Sequence, residues 1–540
     1  MITQISAQTF DDNKKNGTNY FSRKITYDAL NRVIKEEDSY GSVTEYKYFM
    51  DGSLKEKIWP DGVSENYSYD LTGKTEITKY DRAGNNTRTF NNIFGKPYRV
   101  EYPDGTHETF TYSRDGRLTE AIDRAGNAKT YSYSPAGDML SVKEFVSEDG
   151  AYTIHKLTKM SYDEAGNLLT QETFEVKSPT SGQAITTSAG DRVNYVYDKS
   201  GRIIKVLGPN GRETTNTYDA DGNLVKQEVK TAQGQADIKR FTYDFRARIT
   251  AETSLILASD IEQEYLSDAK LDSEYTDRVM STTTYEYNKN SNLTSRKDAE
   301  GNTESYDYDH DGRVVKKKDA LNFPTIYRYD RNGNLIEEKN ARNISVFYEY
   351  DSLNRLVRKK TPAADGSLAV TLYIYDVSGN LVKQIDPINY DPGMDTSMLA
   401  ISMLGISYTY DKMNRRTQTR DPNGQVLESI KYDANGNAVK VVDGLRFNGN
   451  METSKGTSYV YDGLNRVVQT ADALGNSRYY EYDILGNLIS QTDGRGNTTA
   501  YEYNSDGTLA KTIFTDTGVV EYTYDLLGRT LSQKDQNGNV

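Results

Sequence analysis

From Tyr459 to Val540 the chain repeats itself every 21 residues. Tyr461, Tyr482, Tyr503 and Tyr524 fall in one column, followed by Asp462, Asp483, Asn504 and Asp525. Three residues further stand Asn465, Gly486, Gly507 and Gly528, and Asp472, Asp493 and Asp535 share a later column. A fixed period of this length marks a tandem array of one small supersecondary unit, in which no copy can bury its own apolar face. That constraint outweighs anything composition can say about fold.

Each copy carries two D-x-x-G/N units about ten residues apart, such as Asp483-Ile-Leu-Gly486 and Asp493-Gly-Arg-Gly496. Asp opens a turn because its carboxylate bonds a backbone N–H two residues on, and Gly or Asn accepts a positive φ at the turn's end. A type I turn followed by a left-handed residue closes a three-residue hairpin loop. Segments such as Asn487–Thr492 and Thr498–Tyr503 lie between the turns and read as strands. In Y-x-Y-D the two tyrosines are two residues apart, so they share one strand face. No 3.6-residue periodicity competes. One repeat is therefore two antiparallel strands, and the array is an all-β meander.

The pattern starts at Tyr27-Asp28-Ala-Leu-Asn31-Arg32 and runs through Tyr46-Lys-Tyr48, Tyr67-Ser-Tyr69-Asp70, Phe110-Thr-Tyr112 and Tyr131-Ser-Tyr133. Thr89-Phe90 is read as a tyrosine column filled by Phe, which favours a packing role for the column. Residues 1–26 form a polar lead-in or partial repeat, and 27–540 a single array. Longer insert loops fall mainly in 143–284, 361–371, 387–405 and 442–456, and Ser254–Arg278 has room for a short helix. Inserts in repeat proteins become loops on one face. Val540 stands in column 19 of 21, so the array is expected to continue past it.

Composition narrows function. The 44 tyrosines, against 14 Phe and 1 Trp, build an interior whose hydroxyls need partners. A net charge of -13 disfavours a nucleic-acid or anionic-membrane surface. There is no cysteine, which removes disulfides and thiolate metal sites. No apolar run approaches the ~20 residues of a membrane helix, and the N-terminus has no secretory signal pattern.

No catalytic, cofactor-binding or metal residues are nominated. The only histidines, His107, His155 and His310, are scattered over separate repeats. Asp219-Ala-Asp221-Gly222-Asn223 begins like a calcium loop but places Gly at position 4 and Lys230 at position 12, so it reads as a turn. Walker and Rossmann glycine patterns do not occur. The tyrosine columns could stack on sugars, yet fixed column spacing more often means packing.

The recurring Y-D-x-x-G-[RN]-L, D-x-x-G-N and Y-x-Y-D patterns resemble the YD repeats of the Rhs family, over roughly 27–540. The family includes bacterial Rhs and wall-associated polymorphic toxins, C subunits of insecticidal toxin complexes, and teneurins. The resemblance implies a β-ribbon coiled into a hollow shell around a C-terminal toxin domain. It also implies a secreted or cell-surface setting, a secretion-system or shell partner, and no enzymatic role for the shell itself. Tyr390-Asp391-Pro392-Gly393 touches the D-P-x-G boundary of the self-cleaving core in some members, but more repeats follow it. The alternative is a cell-surface carbohydrate-binding or adhesion array. Physics supports coiling independently: about 50 strands at ~4.8 Å make a ribbon on the order of 240 Å long, whose twist forbids a flat sheet.

Overall fold

The computed structural model describes residues 3–4, 23–38, 41–70, 76–148, 151–177, 185–186, 191–208, 213–230, 236–257, 272–274, 278–391, 393, 395–462, 465–483, 486–504, 508–524 and 530–540. Among them it has 44 strands, nearly all joined to their chain neighbours as antiparallel hairpins in one continuous ribbon. The meander expected from the repeat is present, and its first repeat strand, Lys24–Tyr27, also pairs with the short strand Thr3–Gln4. The short strand Ile185–Thr186 pairs only beside the far end of Leu168–Lys177, while Asp191–Tyr197 carries the ribbon on.

Turn chemistry sets the meander. In the turn that follows Tyr327-Arg328-Tyr329, Gly333 N–H donates to the Asp330 carbonyl (3.1 Å) and Asp330 N–H to Asn334 O (2.9 Å). The Asp330 carboxylate accepts from the Asn334 N–H (2.8 Å) and from its side-chain amide (2.9 Å). The fourth turn residue is left-handed, with φ 88° at Gly333 and φ 59° at Asn354, which is why Gly or Asn recurs there. We call these the tyrosine turns. The plain turns, such as Asp298 to Asn302, have the same bonds. Because consecutive turns of a meander fall on opposite edges, all tyrosine turns line one edge of the ribbon and all plain turns the other.

The two faces differ as well. The paired tyrosines are half-buried, while the residues between them, including Lys47, Ser68, Thr111, Ser132, Asp307 and Arg328, are exposed on the opposite face. Phe90 does not hold a tyrosine column. The turn there begins at Asn92, whose N–H donates to Lys96 O (2.8 Å). The column therefore falls on Asn91, and Phe90 lies on the other face with Arg88 over its ring (4.9 Å).

Three inserts fold onto that exposed face, each met by a cation. Arg240 ion-pairs with buried Asp272 and with Glu274 (2.5 Å) beside the cluster Ala236, Ile238 and Leu255. Lys383 donates to the carbonyls of Leu399 (3.3 Å), Ala400 (3.0 Å) and Ser402 at the end of the helix Thr396–Ile401. Burial lowers the Lys383 pKa. Lys440 donates to Met451 O (2.7 Å) and Glu452 O (3.2 Å). A lysine or arginine on the sheet thus satisfies carbonyls or carboxylates that the insert would otherwise bury unpaired. Residues 387–405 are a structured insert rather than a loop, with a 3-10 turn Pro387–Asn389 and a helix whose Leu399 packs on Leu372, Ile374 and Ile385. Residues 361–371 lie in the extended hairpin of Leu356–Pro362 and Leu368–Tyr375. In 143–284 the expected longer hairpins are Met139–Glu148, Ala151–Tyr162 and Leu168–Lys177. The helix considered for Ser254–Arg278 falls on residues largely outside those described.

Burial is thin throughout. Only eleven apolar residues among those described are buried. The chain exposes 32046 Å², against about 20,000 Å² for a compact protein of 60.9 kDa. The thin burial suits an open single-layer ribbon.

Candidate functional site

In most copies adjacent hairpins are locked by the second tyrosine of Y-x-Y. Tyr308 donates its hydroxyl to Leu293 O (2.6 Å), Tyr329 to Val314 O (3.0 Å), Tyr350 to Leu335 O (2.9 Å) and Tyr482 to Val467 O (2.9 Å). Each target is the first strand residue after the preceding tyrosine turn. Inserts do not displace the bond: Tyr410 still reaches Leu381 O (2.8 Å) and Tyr461 reaches Ala438 O (3.0 Å). Burial pushes these phenols upward in pKa.

Where the turn ends in Arg rather than Asn, a second lock forms. Arg313 Nε closes its own turn on Asp309 Oδ2 (2.7 Å), Nη1 donates to Asp330 O (3.3 Å), and the guanidinium lies 4.9 Å from the Tyr329 ring centre. Arg355 repeats this with Asp351, Asp376 O and Tyr375, and Arg466 with Asp462, Asp483 O and Tyr482. Only a planar, multi-donor side chain makes all three contacts at once. The alternation of Arg and Asn after the turn glycine is visible in the sequence. Its cross-hairpin role is not, because the partner carbonyl carries no residue identity.

The ribbon also touches itself at long range. Asn332 Nδ2 donates to Asp38 Oδ2 (2.7 Å), Arg415 Nη2 lies 3.9 Å from Asp104 Oδ2, and Asn435 Nδ2 donates to Asp123 Oδ2 (3.2 Å). In all three pairs 24 described strands lie between the two turns. At ~4.8 Å per strand, one coil takes roughly 110 Å of ribbon and is on the order of 35 Å across. Every pair joins a plain turn of the first coil to a tyrosine turn of the second. The seam is therefore edge to edge, turn against turn.

A cleft of about 380 Å³ opens in this seam, lined by Glu36, Asp38, Trp59, Arg82, Asn332 and Leu353 among others. Trp59 Nε1, Arg82 Nε and Asn332 Oδ1 are buried there without a hydrogen-bond partner. Lys57 Nζ sits 3.5 Å from the Trp59 ring centre. Burial opposes ionisation of Asp104, yet Thr106, Arg124 and Arg415 hold its carboxyl below the usual range. These seam residues escape a sequence reading because partners about 300 positions apart have the same turn composition as every other copy.

The remaining sequence candidates stay apart. His107 begins an exposed strand position, His310 is exposed in the turn beside Asp311, and His155 lies in the strand Ala151–Tyr162. Asp219 gives its carboxylate to Asn223, through the N–H (2.8 Å) and the amide (2.9 Å), as a turn residue does. Asp391 accepts from the Gly393 N–H (2.8 Å), and Tyr390 packs against the helix insert. Among the described residues no three carboxylate, histidine or cysteine side chains gather as a metal site, and no helix is long and apolar enough to cross a membrane.

A family model described as the teneurin YD-shell matches residues 102–236, 210–386, 297–431 and 393–540. Double-stranded DNA deaminase toxin A of Burkholderia cenocepacia (strain H111) is 27% identical over 237 residues, covering 42% of this chain and 16% of that protein. The tRNA3(Ser)-specific nuclease WapA of Bacillus spizizenii is 27% identical over 223 residues, covering 38% of this chain and 8% of that protein. The chain therefore spans a small part of the length of these relatives. Among solved structures, TcdB2-TccC3-TEV aligns with 96% of this chain and 34% of its own, at 12% identity and a TM-score of 0.33. The Photorhabdus luminescens Tc holotoxin pore aligns at 13% identity and a TM-score of 0.32, over 96% of this chain and 34% of its own.

Proposed function

The chain belongs to the teneurin YD-shell family, and from that premise we propose that it is a non-enzymatic encapsulating segment of an Rhs-type toxin. In this reading the coiled ribbon walls off a toxin domain joined C-terminal to it, and works outside the producing cell, secreted or at its surface. The observation that carries the reading is the edge-to-edge seam at Asn332–Asp38, Arg415–Asp104 and Asn435–Asp123. It turns a single-layer ribbon into a continuous wall with an interior on the order of tens of Å. Two curated relatives have quite different named activities, a double-stranded DNA deaminase toxin and a tRNA-specific nuclease. A shared wall with exchangeable cargo accounts for that difference.

The carbohydrate-binding alternative draws less support. A sugar platform needs a free ring face and a hydroxyl able to bond the ligand. Most second-column hydroxyls are donated to backbone carbonyls, several first-column ones to Glu carboxylates, and Arg guanidinium groups lie over several of the rings.

The test is protection. The segment is produced joined to a toxin domain and exposed to protease beside the free toxin domain. Protection in the joined protein, lost when the ribbon is unfolded first, is expected. Equal cleavage rates in both would contradict the proposal.

A further inference from the structure

The seam cleft gathers unpaired polar atoms. Among the described residues four buried side-chain nitrogen or oxygen atoms lack a hydrogen-bond partner, and three of them, Trp59 Nε1, Arg82 Nε and Asn332 Oδ1, line this one cleft. An unpaired buried group costs about 1–3 kcal/mol, so three of them around one space of about 380 Å³ mark a binding site. The cleft is bounded within the ribbon. The plain turns Asp38–Ser42 and Asp81–Asn85 stand on either side of Trp59, and the tyrosine turns of Asn332 and Leu353 face them across the seam.

A second copy of the same motif shows what these groups lack. Trp59-Pro60-Asp61-Gly62-Val63 with Arg82 corresponds to Tyr102-Pro103-Asp104-Gly105-Thr106 with Arg124. The turn bonds agree, Trp59 N–H to Val63 O (3.0 Å) and Tyr102 N–H to Thr106 O (2.9 Å), and each arginine ion-pairs with the Asp at the third turn position. In the second copy Arg124 Nε donates to Thr106 Oγ1 (2.7 Å), and Tyr102 donates its hydroxyl to Glu108 Oε2 (2.9 Å). In the first, Val63 offers no side-chain acceptor, and Glu65, in register with Glu108, is taken by Tyr67 (3.2 Å) and Lys79 (3.3 Å). The Arg82 side chain is nevertheless held as deeply as that of Arg124, 11% against 12% exposed. The unpaired donors therefore arise from the residues at 59 and 63, not from the turn.

We propose that the cleft binds a carboxamide ligand, a short peptide whose carbonyl oxygens accept from Trp59 Nε1 and Arg82 Nε and whose N–H donates to Asn332 Oδ1. The walls present two donors and one acceptor, so the ligand has to accept and donate at once. The charged walls are already paired, Arg82 with Asp61, Arg23 with Glu36, Glu37 with Lys35 (3.6 Å) and Arg355 with Asp351 (2.7 Å), which favours a neutral group over an ion. Pro60 and Leu353 supply apolar wall for the flanking side chains of such a peptide. A water's share of liquid volume is about 30 Å³, so the space takes a group of several heavy atoms. A sugar fits less well, because Lys57 Nζ already lies 3.5 Å from the Trp59 ring centre, where a pyranose would stack. The inference rests on the seam and not on any cargo.

Trp59 is the sole tryptophan of the chain, so tryptophan emission reports this cleft alone. The full chain is titrated with N-acetylglycinamide and, in parallel, with glucose, which carries hydroxyls but no amide. A saturable change with N-acetylglycinamide and none with glucose is expected. Val63→Thr gives Arg82 Nε the acceptor that Thr106 gives Arg124, and is expected to weaken the amide probe at least roughly tenfold, with circular dichroism checking that the ribbon is intact. An unmodified chain that shows no saturable change up to the solubility limit of the probe would overturn the proposal. So would equal affinity in the parent and the variant, or saturation by glucose at comparable concentrations.

Discussion

Asn332 donates to the Asp38 carboxylate at 2.7 Å although 294 positions separate them in the chain. The contact joins a tyrosine turn to a plain turn one coil away, and both residues are otherwise ordinary members of their turns. Asp38 also caps its own turn by accepting from the Ser42 N–H (2.8 Å). The seam thus borrows a carboxylate that the hairpin already orders, so little extra side-chain freedom is lost in forming it.

Charge at this point is therefore decisive. Asn332→Asp sets a second carboxylate against Asp38 and beside Asn354 Oδ1. Two like charges at this range cost about 1–4 kcal/mol as the effective dielectric falls from ~80 to ~20. Hydrogen exchange of the 38–42 and 330–334 turns is expected to quicken at neutral pH and to recover at acid pH, as one carboxylate protonates. Unchanged exchange at both pH values would show that the two turns do not meet.

The tyrosine lock predicts a position-specific loss. Tyr308→Phe keeps the ring and removes the hydroxyl donated to Leu293 O. The expected cost is about 1 kcal/mol, plus the penalty of a half-buried carbonyl left unpaired. It should appear as faster exchange in the 293–308 hairpin with little change around Tyr482. Global melting is a poorer readout, because a long array need not unfold as one unit.

For the arginine lock, Arg313→Asn and Arg313→Ala should differ. Asn can close the turn on Asp309 as Asn334 does on Asp330 (2.9 Å), whereas Ala cannot. Both lose the reach to Asp330 O and the Tyr329 ring. Local opening free energy should fall by about 1 kcal/mol for Asn and by about 2 kcal/mol for Ala. Equal losses would mean that turn closure contributes nothing.

These locks show how unevenly the fold can be read from the chain. The columns of Tyr482, Asp483 and Gly486 announce strands, turns and the left-handed position, since each depends on neighbours within five residues. The helix at Thr396–Ile401 was legible only as an interruption. Its stability comes from Leu399 meeting Leu372 and Ile385, and from Lys383 meeting its last carbonyls, all of which are tertiary. Phe90 shows the limit of column counting, because one residue of slip changes its face. Asp38 and Asn332 show the limit of residue type. Most turns offer an Asp and many offer an Asn, so only coil geometry chooses the pair.

Alkaline pH should unfasten the tyrosine face. Burial, aided by Glu36, Glu65 and Glu108, pushes Tyr46, Tyr67 and Tyr102 up to about 12. The unfolded phenol titrates near ~10, so the folded state holds the proton more tightly. Their stabilising contribution is complete below ~10 and is lost as pH rises from there through about 12. Tyrosinate absorbance at about 295 nm is expected to rise together with loss of β-structure in this window rather than ahead of it. Gradual ionisation beginning at ~10 with no loss of β-structure would contradict the assignment.

The central claim is that the ribbon coils so that plain turns of one coil seat on tyrosine turns of the next. The absence of cysteine makes a direct test simple. Ser42 and Asn332 line the same seam cleft, so Ser42→Cys and Asn332→Cys are introduced together and treated with a short bifunctional maleimide. The account predicts rapid intramolecular cross-linking in the folded chain, seen as altered gel mobility, and none after prior unfolding. A folded double variant that does not cross-link, while each single cysteine labels fully, would contradict it.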